Sequence, residues 1–239
     1  MIPAYDALER LHEGNRRFVS NVRRHDSLAN EARRSEVAAG QEPFAIILGC
    51  SDSRVPAEIV FDQGLGDLFV IRVAGNIVAP SQIGSVEFAA ERYGTRLVVV
   101  LGHSQCGAIL ATIDELQRPT INQSRNLHSI VDRVRPAVEP LLRTEQQRNP
   151  DALVSAAVRA NVRISAGQLR HGSAVLEELI DKDGHDGAAH VDLRCSLSIS
   201  RIRRTGGHAV EEIDKARVER VLRADHHEPV ILDQLLENL

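Results

Sequence analysis

Three short apolar runs interrupt an otherwise mixed pattern of hydrophobic and polar positions. They cover residues 44–49, 68–73 and 96–102. Continuous apolar runs of this length, rich in β-branched residues, are typical of strands buried on both faces of a sheet. Helical segments between such strands imply right-handed crossovers and parallel pairing. The pattern therefore predicts an α/β fold with a mainly parallel central sheet flanked by helices.

Helical spacing of apolar residues predicts the segments around these strands. Residues 5–20 carry Leu8, Leu11 and Phe18 at helical intervals, and residues 30–39 form a second candidate, so the chain begins with an N-terminal helical arm. Further predicted helices are one capped by Ser81 and ending near Tyr93, one from Cys106 to about Leu116, and a long one from about Pro150 to Asp181.

The last part of the chain has a different pattern. Residues 191–199 alternate like a half-exposed strand, and residues 209–223 read as a charged helix. We therefore divide one domain into the arm (1–40), an α/β core (41–183) and an atypical C-terminal segment (184–239).

Composition limits the classes of partner. A length of 239 residues with 43% hydrophobic content supports a substantial core. A formal net charge of −4 argues against nucleic acid, which selects concentrated basic surfaces. The N-terminus lacks the pattern of a secretory signal, and no apolar run approaches the length of a membrane span, so we expect a cytoplasmic protein without a membrane partner.

Cys50, His103 and Cys106 each follow a predicted strand, and His103 and Cys106 lie three positions apart. Carboxyl ends of parallel strands meet at one edge of a sheet, so these side chains can reach one ion. Two thiolates and one imidazole suit Zn²⁺, and a fourth position without a protein ligand is typical of catalytic zinc. A closed structural zinc site or a redox pair are the alternatives. Cys195 is expected to be a small buried side chain outside this site.

Asp52 and Arg54 lie beside the first predicted ligand. A carboxylate next to a guanidinium forms a strong bidentate pair that keeps the carboxylate ionised and oriented. Asp52 could accept a hydrogen bond near the metal or become its fourth ligand. A purely structural ion pair is the third interpretation.

These motifs resemble the β-class carbonic anhydrases over roughly residues 5–181. The resemblance rests on Cys50-Ser51-Asp52-Ser53-Arg54, on His103-Ser104-Gln105-Cys106-Gly107, on Arg72-Val73-Ala74-Gly75-Asn76 and on Glu13-Gly14-Asn15-Arg16-Arg17-Phe18.

The resemblance implies a zinc enzyme that hydrates carbon dioxide reversibly to bicarbonate and a proton through zinc-bound hydroxide. It implies Cys50, His103 and Cys106 as zinc ligands, Asp52 and Arg54 as the catalytic pair, and Gln63 as a residue lining the substrate pocket. It also implies a homodimer or homotetramer in which the N-terminal arm wraps a partner subunit.

The resemblance weakens after Asp181. The tyrosine-containing strand that usually closes the family's sheet is missing, and residues 190–199 are a candidate substitute. A different C-terminus or a shifted reading frame near Asp183 would each explain this. Two other functions stay open: hydrolysis of carbonyl sulfide or carbon disulfide at the same site, and a noncatalytic zinc-stabilised interaction module.

Overall fold

Four parallel strands form the centre of the protein, in the order β2-β1-β3-β4. The structure, a computed structural model, describes residues 2–22, 29–119, 124–186 and 192–195, and for residues 181–186 and 192–195 it describes the backbone only. The strands are β1 (Ala45–Gly49), β2 (Leu68–Arg72), β3 (Leu97–Leu101) and β4 (Asp192–Cys195). The predicted α/β fold with a parallel sheet is confirmed.

Helices surround this sheet. Within the described ranges they are α1 (Ala4–Val19), α2 (Glu31–Val37), α3 (Ala57–Val60), α4 (Pro80–Tyr93), α5 (Gly107–Gln117), α6 (Arg125–Val138), α7 (Pro150–His171) and α8 (Ala174–Asp186), with 3₁₀ turns at Ala74–Asn76, Leu141–Arg143 and Glu145–Arg148. Among the helices so described, none has the length and apolarity that a bilayer crossing requires.

The sheet separates two apolar layers. One face of β1 and β3, with Ile46, Leu48, Val98 and Val100, packs on α4 and α7. The other face packs on α1 through Leu8 and Leu11, and includes Phe61. β1 and β3 are buried along their whole length, because helices cover both faces.

β2 lies at an edge of this four-stranded sheet. Its apolar run predicted burial on both faces, as for β1, but only Leu68 is buried and Arg72 is exposed. The prediction was wrong on this point because continuous apolar runs do not reveal where a strand lies in the sheet order.

Two helix predictions need correction. Ser81 does not cap α4, since Ala79 holds the N-cap position and Pro80 starts the helix. The single helix predicted over residues 150–181 is two helices: α7 ends at His171, and the Ser173 hydroxyl then accepts a hydrogen bond from the Leu176 amide at the start of α8. The sequence pattern did not predict α3 or α6.

The C-terminal predictions have a mixed outcome. The strand predicted over residues 191–199 is present as β4, which pairs in parallel with β3 through Leu97↔Asp192 and the three following pairs. Residue 191, residues 196–199 and the charged helix predicted at 209–223 lie outside the described residues. The division into arm, core and C-terminal segment stays a prediction.

The strand register places the candidate site. Gly49 of β1 pairs with Leu101 of β3, so both strands end at the same edge of the sheet. Cys50 directly follows β1, and His103 follows β3 by two residues. The fold thus brings together two chain segments that are about fifty residues apart.

Candidate metal centre

Cys50, His103 and Cys106 form a compact buried cluster at this edge. Their candidate ligand atoms all lie within 4.8 Å of one another, and the two Sγ atoms are 3.9 Å apart. The exposed fractions of the three residues are 5%, 2% and 1%. Cys106 holds the N-cap position of α5, which brings its sulfur beside the ends of β1 and β3. No other group of at least three candidate metal ligands occurs in the part of the chain that the structure describes.

The imidazole of His103 is hydrogen-bonded through one nitrogen, and its other nitrogen has no hydrogen-bond partner. Nδ1 lies 3.0 Å from the Ser104 carbonyl oxygen, and a carbonyl can only accept, so this hydrogen bond places the proton on Nδ1. Nε2 is buried and has no hydrogen-bond partner. A buried, lone-pair-bearing nitrogen without a partner is costly unless a ligand completes it, as a metal ion would.

The contact between the two thiols shifts their pKa values in opposite directions. A hydrogen bond from the Cys106 thiol, working against burial and helped by His103, lowers the pKa of Cys50 to about 4. The pKa of Cys106 is raised, because its thiol is hydrogen-bonded to Cys50 and because it is buried. Burial lowers the pKa of His103, but the neighbouring Cys50 sulfur and its negative charge outweigh this and raise it overall. The lowered pKa of Cys50 favours its thiolate form.

A backbone amide also faces the Cys50 sulfur. The Gly75 N–H donates to Cys50 Sγ at 3.3 Å from the 3₁₀ turn at Ala74–Asn76. Gly75 has φ of 71°, and an added Cβ would lie 3.0 Å from the Ala108 Cβ. Glycine is thus needed both for the backbone conformation and for the close approach. Amide hydrogen bonds of this kind stabilise a thiolate.

Asp52 and Arg54 form a two-point ion pair. The Arg54 Nε donates to Asp52 Oδ1 at 2.9 Å, and a terminal nitrogen donates to Oδ2 at 2.6 Å. The same guanidinium donates to the Gln105 carbonyl at 3.0 Å, which links the two ligand-bearing loops. Side-chain hydrogen bonds from Arg54 hold the pKa of Asp52 well below its usual range. Asp52 is therefore a permanent acceptor near neutral pH.

The Asp52 carboxylate faces the cluster. Its Oδ2 lies 3.9 Å from His103 Nε2, and its side chain is 18% exposed, whereas Arg54 is 58% exposed. The carboxylate thus lies between the buried cluster and the more exposed guanidinium. The geometry permits either a hydrogen bond to a fourth ligand or direct ligation by Asp52.

Arg72 also supports the site. The sequence places it in a motif, but the motif alone indicated no role for it. It donates from Nε to the Cys50 carbonyl at 2.9 Å and from a terminal nitrogen to the Asp52 carbonyl at 2.6 Å. Arg72 therefore fixes the backbone of the first ligand loop from the end of β2. Hydrogen bonds to carbonyl oxygens have no sequence signature, although an arginine ending a strand beside the motif was a signal.

Gln63 is buried, and its side-chain amide is hydrogen-bonded to Arg10 and to the Phe61 carbonyl. Its Oε1 accepts from Arg10 Nε at 3.1 Å, and its Nε2 donates to the Phe61 carbonyl at 2.8 Å. Arg10 belongs to α1 and also lies over the Phe44 ring, 4.0 Å from its centroid. The amide of Gln63 is thus oriented by the helical arm. Its role at a substrate pocket stays a prediction.

The donor set fits a metal ion. Two sulfurs and one imidazole nitrogen suit a borderline-soft divalent cation, and the unpartnered Nε2 provides the third donor without rearrangement. Binding would require Cys106 to lose its proton as well, which a metal ion readily causes. The arrangement leaves the Asp52 side of the cluster for a further ligand.

Comparison with known proteins relates this chain to carbonic anhydrases. The carbonic anhydrase family model matches residues 45–186, which include both ligand motifs. Carbonic anhydrase 2 of Mycobacterium tuberculosis is 45% identical over 132 residues, which cover 55% of this chain and 63% of that protein. This chain therefore aligns with somewhat less than two thirds of the length of that relative.

Solved structures show the same fold. A tetrameric β-carbonic anhydrase from the ascomycete Sordaria macrospora superposes with a TM-score of 0.54 at 25% identity, covering 63% of this chain and 75% of the other. The β-carbonic anhydrase CafA of Aspergillus fumigatus gives 0.55 at 26% identity, covering 64% and 71%. With the matched family model and the shared parallel sheet, these likenesses establish that the chain belongs to the carbonic anhydrase family, in its β class.

Proposed function

We propose that this chain catalyses the zinc-dependent, reversible hydration of carbon dioxide to bicarbonate and a proton. The observation that carries the proposal is the buried Cys50, His103 and Cys106 cluster with an unpartnered Nε2 beside an ionised Asp52. The family match over residues 45–186 and the relatives named carbonic anhydrase support the same activity.

Cys50, His103 and Cys106 would hold the zinc ion. When bound, zinc supplies Lewis-acid chemistry that lowers the pKa of water, to about 7 in three-histidine carbonic anhydrases. Two thiolates donate more negative charge to the metal than two imidazoles do. The residues around the cluster must therefore contribute to setting the pKa of that water molecule.

Asp52 is the residue best placed to orient a reacting group. It is acceptor-only when ionised, so an O–H group beside the cluster can donate to it and present a lone pair in a fixed direction. Arg54 holds both carboxylate oxygens and keeps Asp52 ionised. Arg72 and the Gln105 carbonyl fix the loops that carry this pair. We assign Asp52 and Arg54 to catalysis on these grounds.

The remaining functional assignments follow from the family. Gln63 would line the substrate pocket, with its amide oriented by Arg10. A homodimer or homotetramer is supported by the Sordaria macrospora relative, whose structure is tetrameric. A cytoplasmic location would keep Cys50 and Cys106 reduced for metal binding, and this stays a prediction.

A stopped-flow measurement of carbon dioxide hydration tests the proposal. Protein loaded with one zinc per chain should accelerate hydration, and protein stripped by a chelator should lose this acceleration and regain it when zinc is added back. The same preparation is then offered carbonyl sulfide and carbon disulfide. Full zinc loading without carbon dioxide hydration would contradict the proposal, and hydrolysis of either sulfur compound alone would reassign the site.

A further inference from the structure

One face of α7 touches the 3₁₀ turn whose Gly75 amide binds Cys50 and also the segment that carries His103. It consists of Val158, Asn161, Val162 and Ser165, which we call the α7 support face. These positions follow the spacing i, i+3, i+4, i+7, so they lie along one side of the helix. Asn161 and Ser165 are each 2% exposed although they are polar. Polar groups buried this deeply need partners in the protein.

Their partners are two carbonyl groups of the 3₁₀ turn beside Cys50. Asn161 Nδ2 donates to the Gly75 carbonyl at 2.7 Å, and Ser165 Oγ donates to the Asn76 carbonyl at 2.9 Å. The amide of the same Gly75 donates to Cys50 Sγ. Two consecutive carbonyls of the turn are thus fixed from α7, while the Gly75 N–H in the same turn donates to the Cys50 sulfur.

The backbone conformation of this turn is not strongly favoured by its own sequence. Gly75 and Asn76 both have positive φ, at 71° and 43°, in the left-handed region that asparagine adopts at some cost. Hydrogen bonds to rigid neighbours are needed to hold two such residues in sequence. Asn161 and Ser165 provide these bonds from a long, well-packed helix.

The apolar half of the support face reaches the second ligand segment. A Cβ added to Gly102 would lie 2.5 Å from Val162 Cγ2 and 3.2 Å from Val158 Cγ1. The absence of a side chain at Gly102 therefore lets α7 pack directly on the backbone that precedes His103. The same helix face fixes the backbone on both sides of the cluster.

We propose that Asn161 and Ser165 are positioning residues for Cys50, which act by holding the turn whose Gly75 amide binds the sulfur. This inference rests on the proposed function in that the positioned group is a zinc ligand. The competing explanation is that the two hydrogen bonds only stabilise the packing of α7. The two explanations differ in whether the effect is specific to the metal site.

Thr95 provides a matched control. Its buried hydroxyl donates to the Pro43 carbonyl at 2.7 Å, between distant parts of the chain as Ser165 does, but ahead of β3 rather than at the metal edge. Ser165→Ala and Thr95→Val each remove one such hydrogen bond. Asn161→Leu removes the second contact to the turn with a side chain of similar size. Thermal denaturation of each variant first establishes that it is folded.

Two measurements separate positioning from packing. Hydrogen exchange of the Gly75 amide, followed by NMR in the zinc-free protein, should be about tenfold or more faster in Ser165→Ala and Asn161→Leu, and nearly unchanged in Thr95→Val. Zinc affinity, measured by competition with a chelator, should fall about tenfold in the first two variants, as expected for outer-sphere partners of a metal site, and less than about twofold in the control.

The proposal is overturned if Ser165→Ala and Asn161→Leu leave both quantities at the level of Thr95→Val. It is equally overturned if Thr95→Val weakens zinc as much as they do. Because the Gly75 exchange is read without metal, it decides the question even if the chain binds zinc but does not hydrate carbon dioxide. Zinc binding without carbon dioxide hydration would contradict the proposed function, but not this inference.

Discussion

Replacing Cys106 by serine is expected to abolish both stable zinc binding and zinc-dependent carbon dioxide hydration. Serine is neutral at this position and offers a poor ligand in place of a thiolate, and the Cys50 and Cys106 sulfurs are only 3.9 Å apart in one buried cluster. We expect the loss of zinc affinity to exceed the tenfold to roughly hundredfold typical of changes outside the ligand set. Zinc content after dialysis and stopped-flow hydration measure the two effects.

Cys195→Ser is the matched control for this experiment. It makes the same chemical change at a cysteine that the sequence interpretation places outside the metal site. Zinc content and hydration rate should be those of the unmodified chain. If Cys106→Ser keeps stoichiometric zinc, or if Cys195→Ser loses it, the proposed ligand set is incorrect.

Replacing Asp52 by asparagine is expected to leave zinc bound and to lower the hydration rate by about 10- to 100-fold. Asparagine has the same size, but it carries no charge and presents a donor where one carboxylate oxygen was. Arg54 then loses one of its two hydrogen bonds to this side chain. The atom that replaces Asp52 Oδ2, 3.9 Å from His103 Nε2, is no longer always a hydrogen-bond acceptor. Steady-state hydration rates normalised to zinc content test this.

Ser53→Ala serves as the control, because Ser53 is an exposed neighbour in the same loop. It should change the rate little. A rate for Asp52→Asn equal to that of the unmodified chain would reduce the Asp52 and Arg54 contact to a structural ion pair. A higher rate would show that Asp52 occupies the fourth metal position and blocks it.

The central strands were predictable because helices cover both of their faces. That burial selects continuous apolar runs, which is why β1 and β3 lie within a residue of the predicted bounds. The position of β2 at the edge was not predictable from its own run, since sheet order depends on the contacts of the whole chain. The predicted position of Cys50 and His103 at one edge followed directly from parallel pairing.

The helices were harder to predict where their signals were local and polar. α6 begins with Arg125 and Asn126 and contains Pro136, and these residues obscure the helical pattern of its apolar Val131, Val134 and Val138. The break between α7 and α8 depends on the hydroxyl of Ser173, a residue type that also occurs inside helices. Both errors arise from sequence features that favour more than one local structure.

The candidate site was predictable to the extent that it depends on side-chain chemistry. Cysteine, histidine, aspartate and arginine in short motifs indicate their roles by type and spacing. Contacts through the backbone were not visible, among them the Gly75 amide on Cys50 and the carbonyls that Arg72 binds. Asn161 and Ser165 did leave a signal, as polar residues within an apolar helix face, but only the fold shows what they hold.

Zinc K-edge X-ray absorption on the purified, zinc-loaded chain tests the central claim most directly. The account predicts one zinc per chain with two sulfur ligands at about 2.3 Å, one histidine nitrogen at about 2.0–2.1 Å and one further light-atom ligand. Cys50→Ser and His103→Ala should each fail to retain zinc after dialysis, as is expected of Cys106→Ser. A sulfur count other than two, or a chain that retains no zinc under reducing conditions, would contradict it.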